Sequence, residues 1–341
     1  MEKYFIITID TEGDNIWSRT EDVTVENAKY LPRFQSLCEK YGFKPTYLTN
    51  YEMAQSNEFR DFGKSIILNK SGEIGMHLHA WHSPPKFILT DKDWKYHPYL
   101  IEYPVDIIFK KVKFMTDYIE DIFGIKVVSH RAGRWSFNEE YANILVEHGY
   151  QIDCSVTPGV SWKNNIGDPT RNGGTNYQNF PRNAYFLDLE NINQKGNSSL
   201  LEVPMTILSQ NHFHPMIATI NTYVKNVFNN SNYISKILKR GITGALNRIY
   251  PKNYWLRPDI NNLNQMKNIV NESNKMSNNY IEFMLHSSEL MPGGSNRFKS
   301  EESIEKLYKD LEILFEIISK SFQGITLKGY YKTKQKDIHK A

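Results

Sequence analysis

The sequence has few of the features that mark specialised protein classes. Only two of its 341 residues are cysteine. Cys38 and Cys154 fall in helix-like and strand-like segments, which predicts small buried thiols and no disulfide framework. The formal net charge is only +3, and the sequence has no zinc finger and no aromatic and basic signature. It therefore favours no nucleic acid partner.

Long hydrophobic runs are also missing. No apolar stretch approaches the roughly 18 residues of a transmembrane span, and the first strand-like segment begins near residue 4, which leaves no room for a secretion signal. We therefore expect a cytoplasmic protein. Hydrophobic residues make up 40% and charged residues 23% of the sequence, as in a folded globular protein.

Strand-like and helix-like segments alternate along the first half of the sequence, which predicts parallel βα units. The predicted strands cover 4–10, 45–49, 73–79, 126–130 and 151–156, and the predicted helices cover 26–41, 57–68, 105–123 and 138–148. The pattern stops between about 160 and 200, where Asn, Gly and Pro are frequent. It returns with a strand near 200–204, a helix over 258–275, a strand over 279–286 and a helix over 301–320. The strand count predicts a barrel-like α/β fold.

Residues 203–258 contain no Asp or Glu but several Lys and Arg, among them Lys225, Arg240 and Lys252. Apolar residues recur between them at helical spacing, which predicts a basic amphipathic insertion. Its basic face, at about 222–252, could make peripheral contact with an anionic membrane or hold a diphosphate. A packed helix with a solvated basic face explains the same pattern.

Three histidines, His77, His79 and His82, directly follow a strand-like segment and are the most specific feature of the sequence. Side chains alternate along a strand, so His77 and His79 would share a face if the strand continues through them. Neutral imidazole is the commonest protein ligand of zinc-like ions. The first strand ends in the carboxylates Asp10 and Glu12, so the sequence predicts a metal site. Structural histidines and a capping acid are the alternative.

Two more strand-like segments end in titratable or cationic side chains. They are Ser129-His-Arg-Ala-Gly-Arg-Trp135 and Phe283-Met-Leu-His-Ser-Ser-Glu289. In a parallel α/β barrel the carboxyl ends of the strands share one face, where catalytic residues from distant positions meet. We therefore expect four strand ends to contribute to a single site.

The order of these segments is similar to that of a known family. The strings Thr8-Ile-Asp-Thr-Glu-Gly13, Glu73-Ile-Gly-Met-His77, Arg131-Ala-Gly-Arg134 and Met284-Leu-His286 resemble the motifs of the polysaccharide deacetylase superfamily, carbohydrate esterase family 4. The strings beginning at His77, His130 and Leu285 resemble a divergent branch associated with surface-polysaccharide biosynthesis. The resemblance implies a distorted (β/α)7 or (β/α)8 barrel with an insertion after the fifth strand. It implies one catalytic domain over 1–330, with insertions at about 160–200 and 207–257, and a basic tail over 331–341.

The resemblance also implies roles for the candidate residues. Glu12 and two histidines would bind a divalent metal ion, with Zn²⁺ expected first. Asp10 would act as general base, and Arg131 would orient it and keep it ionised. His286 would protonate the leaving amine. A metal of this kind lowers the pKa of its water, while a separate acid and base handle the proton transfers.

The chain departs from the family pattern at the second histidine. The family pair is four residues apart, and Trp81 stands four residues after His77. The second ligand would then be His79 or His82. We favour His79, because it shares a strand face with His77, whereas His82 would need a helical turn to begin early. Trp81 remains a candidate for substrate contact.

The third motif departs as well, since family members often have Arg-x-Pro-Tyr where this chain has Arg131-Ala-Gly-Arg134. We therefore expect Arg134 or Trp135 to contact a sugar or its phosphate. Asp153 would support the site from the next strand. Glu289 would either orient His286 or cap its loop.

Together these features predict a hydrolase that removes an acetyl group from an N-acetylated sugar. The expected substrate is a glycan precursor linked to a nucleotide or a lipid, because both carry a diphosphate that a basic insertion would attract. An O-acetyl esterase or another amidohydrolase at the same site is one alternative. A glycan-binding protein that keeps the fold without the chemistry is another.

Overall fold

A computed structural model describes residues 2–16, 22–167, 170, 173–227, 241–246 and 252–338. Its strands are β1 (Tyr4–Thr11), β2 (Thr46–Thr49), β3 (Glu73–Leu78), β4 (Ser129–Ala132), β5 (Ile152–Asp153), β6 (Tyr185–Phe186), β7 (Leu201–Glu202), β8 (Ile207–Ser209), β9 (Asn253–Trp255), β10 (Tyr280–His286) and β11 (Gln323–Gly324). Its α-helices are α1 (Leu31–Lys40), α2 (Tyr51–Gln55), α3 (Asn57–Leu68), α4 (Asp93–Tyr96), α5 (Val105–Phe123), α6 (Glu139–Glu147), α7 (Gln210–Phe213), α8 (Pro215–Val227), α9 (241–246), α10 (Leu263–Lys275), α11 (Glu301–Ser319) and α12 (Leu327–Ile338).

The main sheet has nine strands, ordered β10-β1-β2-β3-β4-β5-β7-β6, with β11 beside the start of β1. Neighbours from β10 to β7 are parallel, and β6 is antiparallel to β7. Hydrogen bonds link the segment after β7 to β10. Tyr280 Oη donates to Pro204 O over 2.9 Å, and Glu282 N donates to Thr206 Oγ1 over 2.8 Å. The sheet therefore curls into a distorted α/β barrel, as the sequence predicts.

Burial on both faces explains why the central strands are so apolar. All eight residues of β1 are buried, as expected for a parallel strand covered on both sides. Helix α5 packs Ile108, Val112 and Met115 into the core. The helix begins after Pro104, which has no backbone N–H to donate to a preceding turn. It ends before Gly124, which has a φ of +64°.

Strand register brings the motif residues together in pairs. In the β1–β10 pair Asp10 lies opposite His286, and in the β3–β4 pair His77 lies opposite Arg131. All four residues lie at the carboxyl ends of parallel strands. These ends form one edge of the barrel, where residues distant in sequence converge.

Some element boundaries differ from the sequence-based prediction. The helix expected over 26–41 begins with a 3₁₀ turn, Glu26–Tyr30, and becomes α-helical at Leu31, next to a proline suited to a first turn. The helix expected over 258–275 begins only at Leu263. The Asn262 side chain instead closes a loop, bonding to Arg257 O and Asp259 N, as short polar side chains do before helices.

The described part of the expected basic insertion contains the antiparallel pair β8–β9 and helices α7, α8 and α9. Residues 228–240 and 247–251 lie outside the described residues, so the prediction for 222–252 stays a prediction. Near the C-terminus, α12 extends to Ile338, and Tyr330 and Tyr331 are buried. No helix in the described ranges is both long enough and apolar enough to cross a membrane.

Candidate metal and catalytic site

Glu12, His77 and His79 form a buried cluster with metal-ligand geometry. Glu12 Oε2 lies 2.8 Å from His79 Nε2 and 3.4 Å from His77 Nε2. One ligand atom from each of the three residues lies within 4.8 Å of the others. Side-chain alternation at the end of β3 thus delivers both imidazoles to the carboxylate that follows β1.

A backbone hydrogen bond orients His77. Its Nδ1 lies 2.9 Å from the carbonyl oxygen of Arg131, and because a carbonyl only accepts, Nδ1 carries the proton. Its Nε2 then faces Glu12. Metal-ligating histidines commonly donate their second ring nitrogen to a carbonyl in this way, which sets the tautomer and the ring direction.

The charge state of Glu12 also suits a metal. Burial by itself would raise its pKa, but hydrogen bonds with His77 and His79 hold the pKa well below its ordinary value. Burial lowers the pKa of His79 and so favours its neutral form. Burial acts on His77 in the same direction, but the charge of Asp10 and the hydrogen bond with Glu12 raise the pKa of His77 overall, so a bound ion would displace a proton from this ring. One carboxylate and two histidines are the ligand set of many catalytic zinc sites, so these residue types fit a zinc-like ion.

Asp10 lies beside the cluster and is held by Arg131. Burial favours a raised pKa for Asp10, but the charge of Arg131, helped by His77 and His286, lowers it overall. The guanidinium makes its other hydrogen bonds to Thr8 Oγ1, to the Cys154 carbonyl and to Glu282. Asp10 is therefore ionised and fixed in direction.

His286 faces both carboxylates from the end of β10. Its Nε2 lies 3.7 Å from Asp10 Oδ2 and 3.7 Å from Glu12 Oε1. On the other side of the ring, Arg257 Nη2 donates to Nδ1 over 2.8 Å. Because a guanidinium only donates, Nδ1 accepts and the ring proton lies on Nε2. An N–H donor thus faces the centre of the site.

One solved structure has a similar fold over nearly the whole chain. A protein from Parabacteroides distasonis described as a glycoside hydrolase/deacetylase aligns over 98% of this chain and 72% of its own, with a TM-score of 0.60 and 9% identity. This chain has the same barrel fold as that protein. At such identity the likeness concerns the fold alone, and many folds host more than one chemistry.

Two further structures align with this chain at TM-scores below 0.5. A protein from Mycobacterium smegmatis described as a polysaccharide deacetylase has a TM-score of 0.49 and 13% identity, over 99% of this chain and 92% of its own. The 4-alpha-glucanotransferase from Thermococcus litoralis has a TM-score of 0.47 and 12% identity, over 97% of this chain and 38% of its own. The sequence matches no family model, and it matches no curated protein.

A cavity of about 200 Å³ opens at the edge of the barrel where the candidate site residues lie. Its lining comprises Asp10, His77, Tyr99, Ala132, Arg134, Trp135, Trp162, Asn165, Arg257 and His286. The Trp135 ring also packs over the Arg131 guanidinium, with 4.8 Å between the ring centre and Arg131 Cζ. Of the residues expected to contact a sugar, Arg134 and Trp135 therefore lie at the cavity.

Glu289 caps the turn after β10. Its Oε2 accepts from the backbone N–H of His286 over 2.8 Å, and its Oε1 accepts from Arg257 over 2.8 Å and from Arg297 over 2.9 Å. Its Oε2 is 3.6 Å from His286 Nδ1. Of the two roles expected for Glu289, the structure shows the loop cap, and Arg257 makes the hydrogen bond to the ring.

The remaining predicted site residues lie around the centre rather than in it. His82 turns towards Glu52, with 3.6 Å between Nδ1 and Oε1, and it is not part of the Glu12 cluster. Trp81 packs on His79, with ring centres 5.1 Å apart. Asp153 does not line the cavity; its Oδ1 lies 2.6 Å from His130 Nδ1, whose Nε2 lies 2.7 Å from Tyr141 Oη of α6, so the pair is buried between the sheet and a helix.

Sequence reasoning missed four residues of the cavity wall that lie outside the motifs. Tyr99 comes from the loop before α5, Trp162 and Asn165 from the segment after β5, and Arg257 from the residues after β9. None lies in a recognisable motif. The nearest local signal is at Arg257, which precedes Pro258 and follows a short aromatic strand. A residue before a proline tends to be extended and to end a secondary-structure element, and side chains at strand ends lie at this edge of the barrel.

Proposed function

We propose that this protein is a metal-dependent hydrolase that removes the acetyl group from an N-acetylated sugar. The observation that carries the proposal is the convergence of a Glu12, His77 and His79 cluster with an ionised Asp10 and an N–H of His286 around one buried centre. A ligand set, a base and a donor at one place are what metal-assisted amide hydrolysis requires.

Glu12, His77 and His79 would hold the ion. A zinc-like ion at this position lowers the pKa of a water molecule and polarises an acyl carbonyl. The residues around it then provide the proton transfers. Asp10, ionised and held by Arg131, accepts a proton from the attacking water. Its fixed direction reduces the reorganisation that the reaction needs.

The departing nitrogen must gain a proton as the water oxygen bonds to the acetyl carbon and the C–N bond breaks. The proton that Asp10 accepted from the water can pass to that nitrogen, which balances the step. The Nε2–H of His286 points towards Asp10 and Glu12 and, because Nδ1 accepts from Arg257, it stays on the ring and donates a hydrogen bond to the reacting group. Asp10 and His286 lie opposite each other in strand register, which places base and donor side by side.

The cavity wall supports a sugar as substrate. Trp135 and Trp162 line it next to His286 and Arg257. Pockets for small molecules combine apolar and aromatic walls with a few oriented polar groups, and aromatic rings offer large apolar faces to the C–H side of a pyranose. A precursor sugar linked to a nucleotide or lipid, and a cytoplasmic location, stay predictions from the sequence.

The proposal is tested by measuring metal content and acetate release together. Purified protein is expected to hold about one divalent ion per chain and to release acetate from a panel of N-acetylated sugars, but not from the matching O-acetylated sugars. Asp10→Asn, which keeps the shape of the side chain, is expected to retain the ion and lose most of the rate. Release from the O-acetyl panel alone would establish an esterase instead, and protein that binds no added divalent ion would contradict the mechanism.

A further inference from the structure

Arg134 lies at the cavity with a charge that no described carboxylate balances. Its side chain lines the wall with Asp10, His77 and His286. Within the described part of the chain, its Nε atom is buried and has no hydrogen-bond partner. The ring of Tyr99 lies 5.1 Å from the guanidinium, a cation–π contact that holds the group without neutralising it.

The two other arginines near the cavity are each paired with carboxylates. Arg257 lines the same cavity but donates to Glu289 over 2.8 Å. Arg131, beneath Trp135, is paired with Asp10 and Glu282. Burying a charge away from water without a partner costs free energy. Arg134, which is partly buried, is therefore the arginine at this cavity with capacity for a further anion.

The backbone directs Arg134 into the cavity at an energetic cost. Arg134 and Trp135 have φ values of +55° and +57°, in the left-handed region that L-residues other than Asn and Asp rarely adopt. The turn also packs tightly on the metal-binding strand, since a Cβ at Gly133 would come within 2.6 Å of Leu78 O and 2.8 Å of His79 Nδ1. Strain of this kind persists where surrounding structure enforces it, and it is common at functional sites.

We propose that Arg134 binds an oxyanion carried by the substrate, so that the protein prefers acidic N-acetylated sugars. The oxyanion is a phosphate ester or a carboxylate on the sugar that bears the acetyl group. The guanidinium offers parallel N–H donors that match both groups in a bidentate manner. This inference deepens the proposed deacetylase function and rests on it for the identity of the reaction, whereas the anion preference can be measured by binding alone.

The test compares one neutral and two acidic N-acetylated sugars on the same ring. The neutral probe is the methyl glycoside of N-acetylglucosamine, and the acidic probes are N-acetylglucosamine 1-phosphate and the methyl glycoside of N-acetylglucosaminuronic acid. Each is also used as the galacto epimer. Dissociation constants are measured by calorimetry on the metal-loaded full chain, and acetate release is followed in parallel.

Two variants separate charge from conformation. Arg134→Asn removes the charge but keeps a residue that tolerates left-handed φ, and Arg134→Lys keeps the charge without the planar donors. Arg33→Gln is the matched control, because Arg33 loses the same charge at an exposed pair with Glu305. Metal content and thermal midpoint are recorded for each variant to confirm folding.

Wild type is expected to bind at least one acidic sugar roughly ten- to a hundredfold more tightly than the neutral one, the range for a charge-assisted bidentate contact. The ratio of the dissociation constant of the neutral sugar to that of the acidic sugar should fall towards one in Arg134→Asn. It should recover in part in Arg134→Lys and stay unchanged in Arg33→Gln. The acidic probe with the larger ratio identifies the anion.

The outcomes distinguish this inference from the proposed function. Anion preference that depends on Arg134, without acetate release from any probe, would support the inference and contradict the deacetylase function. Acetate release with equal affinity for the three sugars would overturn the inference and leave the deacetylase function standing. A preference that survives in Arg134→Asn, or no binding of either acidic probe, would also overturn it.

Discussion

Arg131 and Asp10 form a buried ion pair in which Arg131 Nη1 donates to Asp10 Oδ1 over 2.6 Å. Arg131 is 0% exposed and Asp10 only 3% exposed. Neither charge can be compensated by water if the other is removed. The pair therefore links the stability of the barrel to the charge state of the candidate base.

Replacing Arg131 with Met should lower the free energy of unfolding by about 3–5 kcal/mol, because Asp10 would remain buried without its counter-ion. Urea unfolding followed by circular dichroism measures the change. The exposed pair of Arg33 and Glu305 is the control. Arg33→Met removes a surface ion pair that contributes less than about 1 kcal/mol to the free energy of unfolding. Equal losses in both variants would show that the buried pair has no special role.

The metal-ligand assignment predicts different effects for neighbouring histidines. His77→Ala and His79→Ala should each release the bound ion, because each removes one of three donors around Glu12. His82→Ala, in the same loop, should retain about one ion per chain, since His82 faces Glu52. Metal content is measured by mass spectrometry after gel filtration. Release of the ion by His82→Ala but not by His79→Ala would reverse the assignment.

Arg257 should act as a positioning residue for His286. Arg257→Gln removes the donor to Nδ1 and is expected to lower kcat about ten- to a hundredfold, as for other groups that orient active-site side chains. Metal content should not change, because Arg257 does not contact the three ligands. If Arg257 had only a structural role, the pH profile of kcat would be the same in Arg257→Gln as in wild type. A shifted profile, together with partial rescue by Arg257→Lys, would indicate that Arg257 positions His286.

Glu52 should make stability fall as pH rises. Burial raises its pKa from 4.5 to about 7, so between these values the folded protein holds a proton that the unfolded chain has lost. The stabilisation is present below pH 4.5 and is lost as pH rises through about 7, up to about 3 kcal/mol in all. In chelator, wild type should therefore lose more stability between pH 5 and pH 8 than Glu52→Gln does.

Urea unfolding at the two pH values gives this difference directly. His82, whose pKa burial lowers to about 4, titrates in both proteins, and comparing the two variants removes its contribution. The same pH dependence in wild type and Glu52→Gln would show that the Glu52 carboxyl is already ionised in the folded state at low pH.

Much of the fold was predictable because its signals are local. The buried run Tyr4–Thr11 and the alternation of apolar strands and amphipathic helices indicate parallel βα units, and the barrel confirms them. Boundaries were less accurate where pairing partners matter. The strand expected over 151–156 is regular only over Ile152–Asp153; beyond it single backbone hydrogen bonds, such as that from Met205 N to Val156 O, replace a continuous ladder.

The sequence by itself determined which chemical groups stand at the strand ends. Asp10, His77, Arg131 and His286 follow apolar strands, and parallel pairing puts such ends on one edge of a barrel. The side-chain period of two then directs His77 and His79 the same way. These relationships depend only on neighbours along the chain and on the direction of the strands.

Only the tertiary structure decided what surrounds those groups. Arg257 meets the His286 ring from a different segment, Tyr99 meets Arg134 from the loop before α5, and Glu52 meets His82 from α2. No local pattern encodes such contacts, because they depend on how loops far apart in sequence pack over the barrel edge. Residue types and strand order place the candidate catalytic groups, whereas packing between distant loops sets their partners and their pKa values.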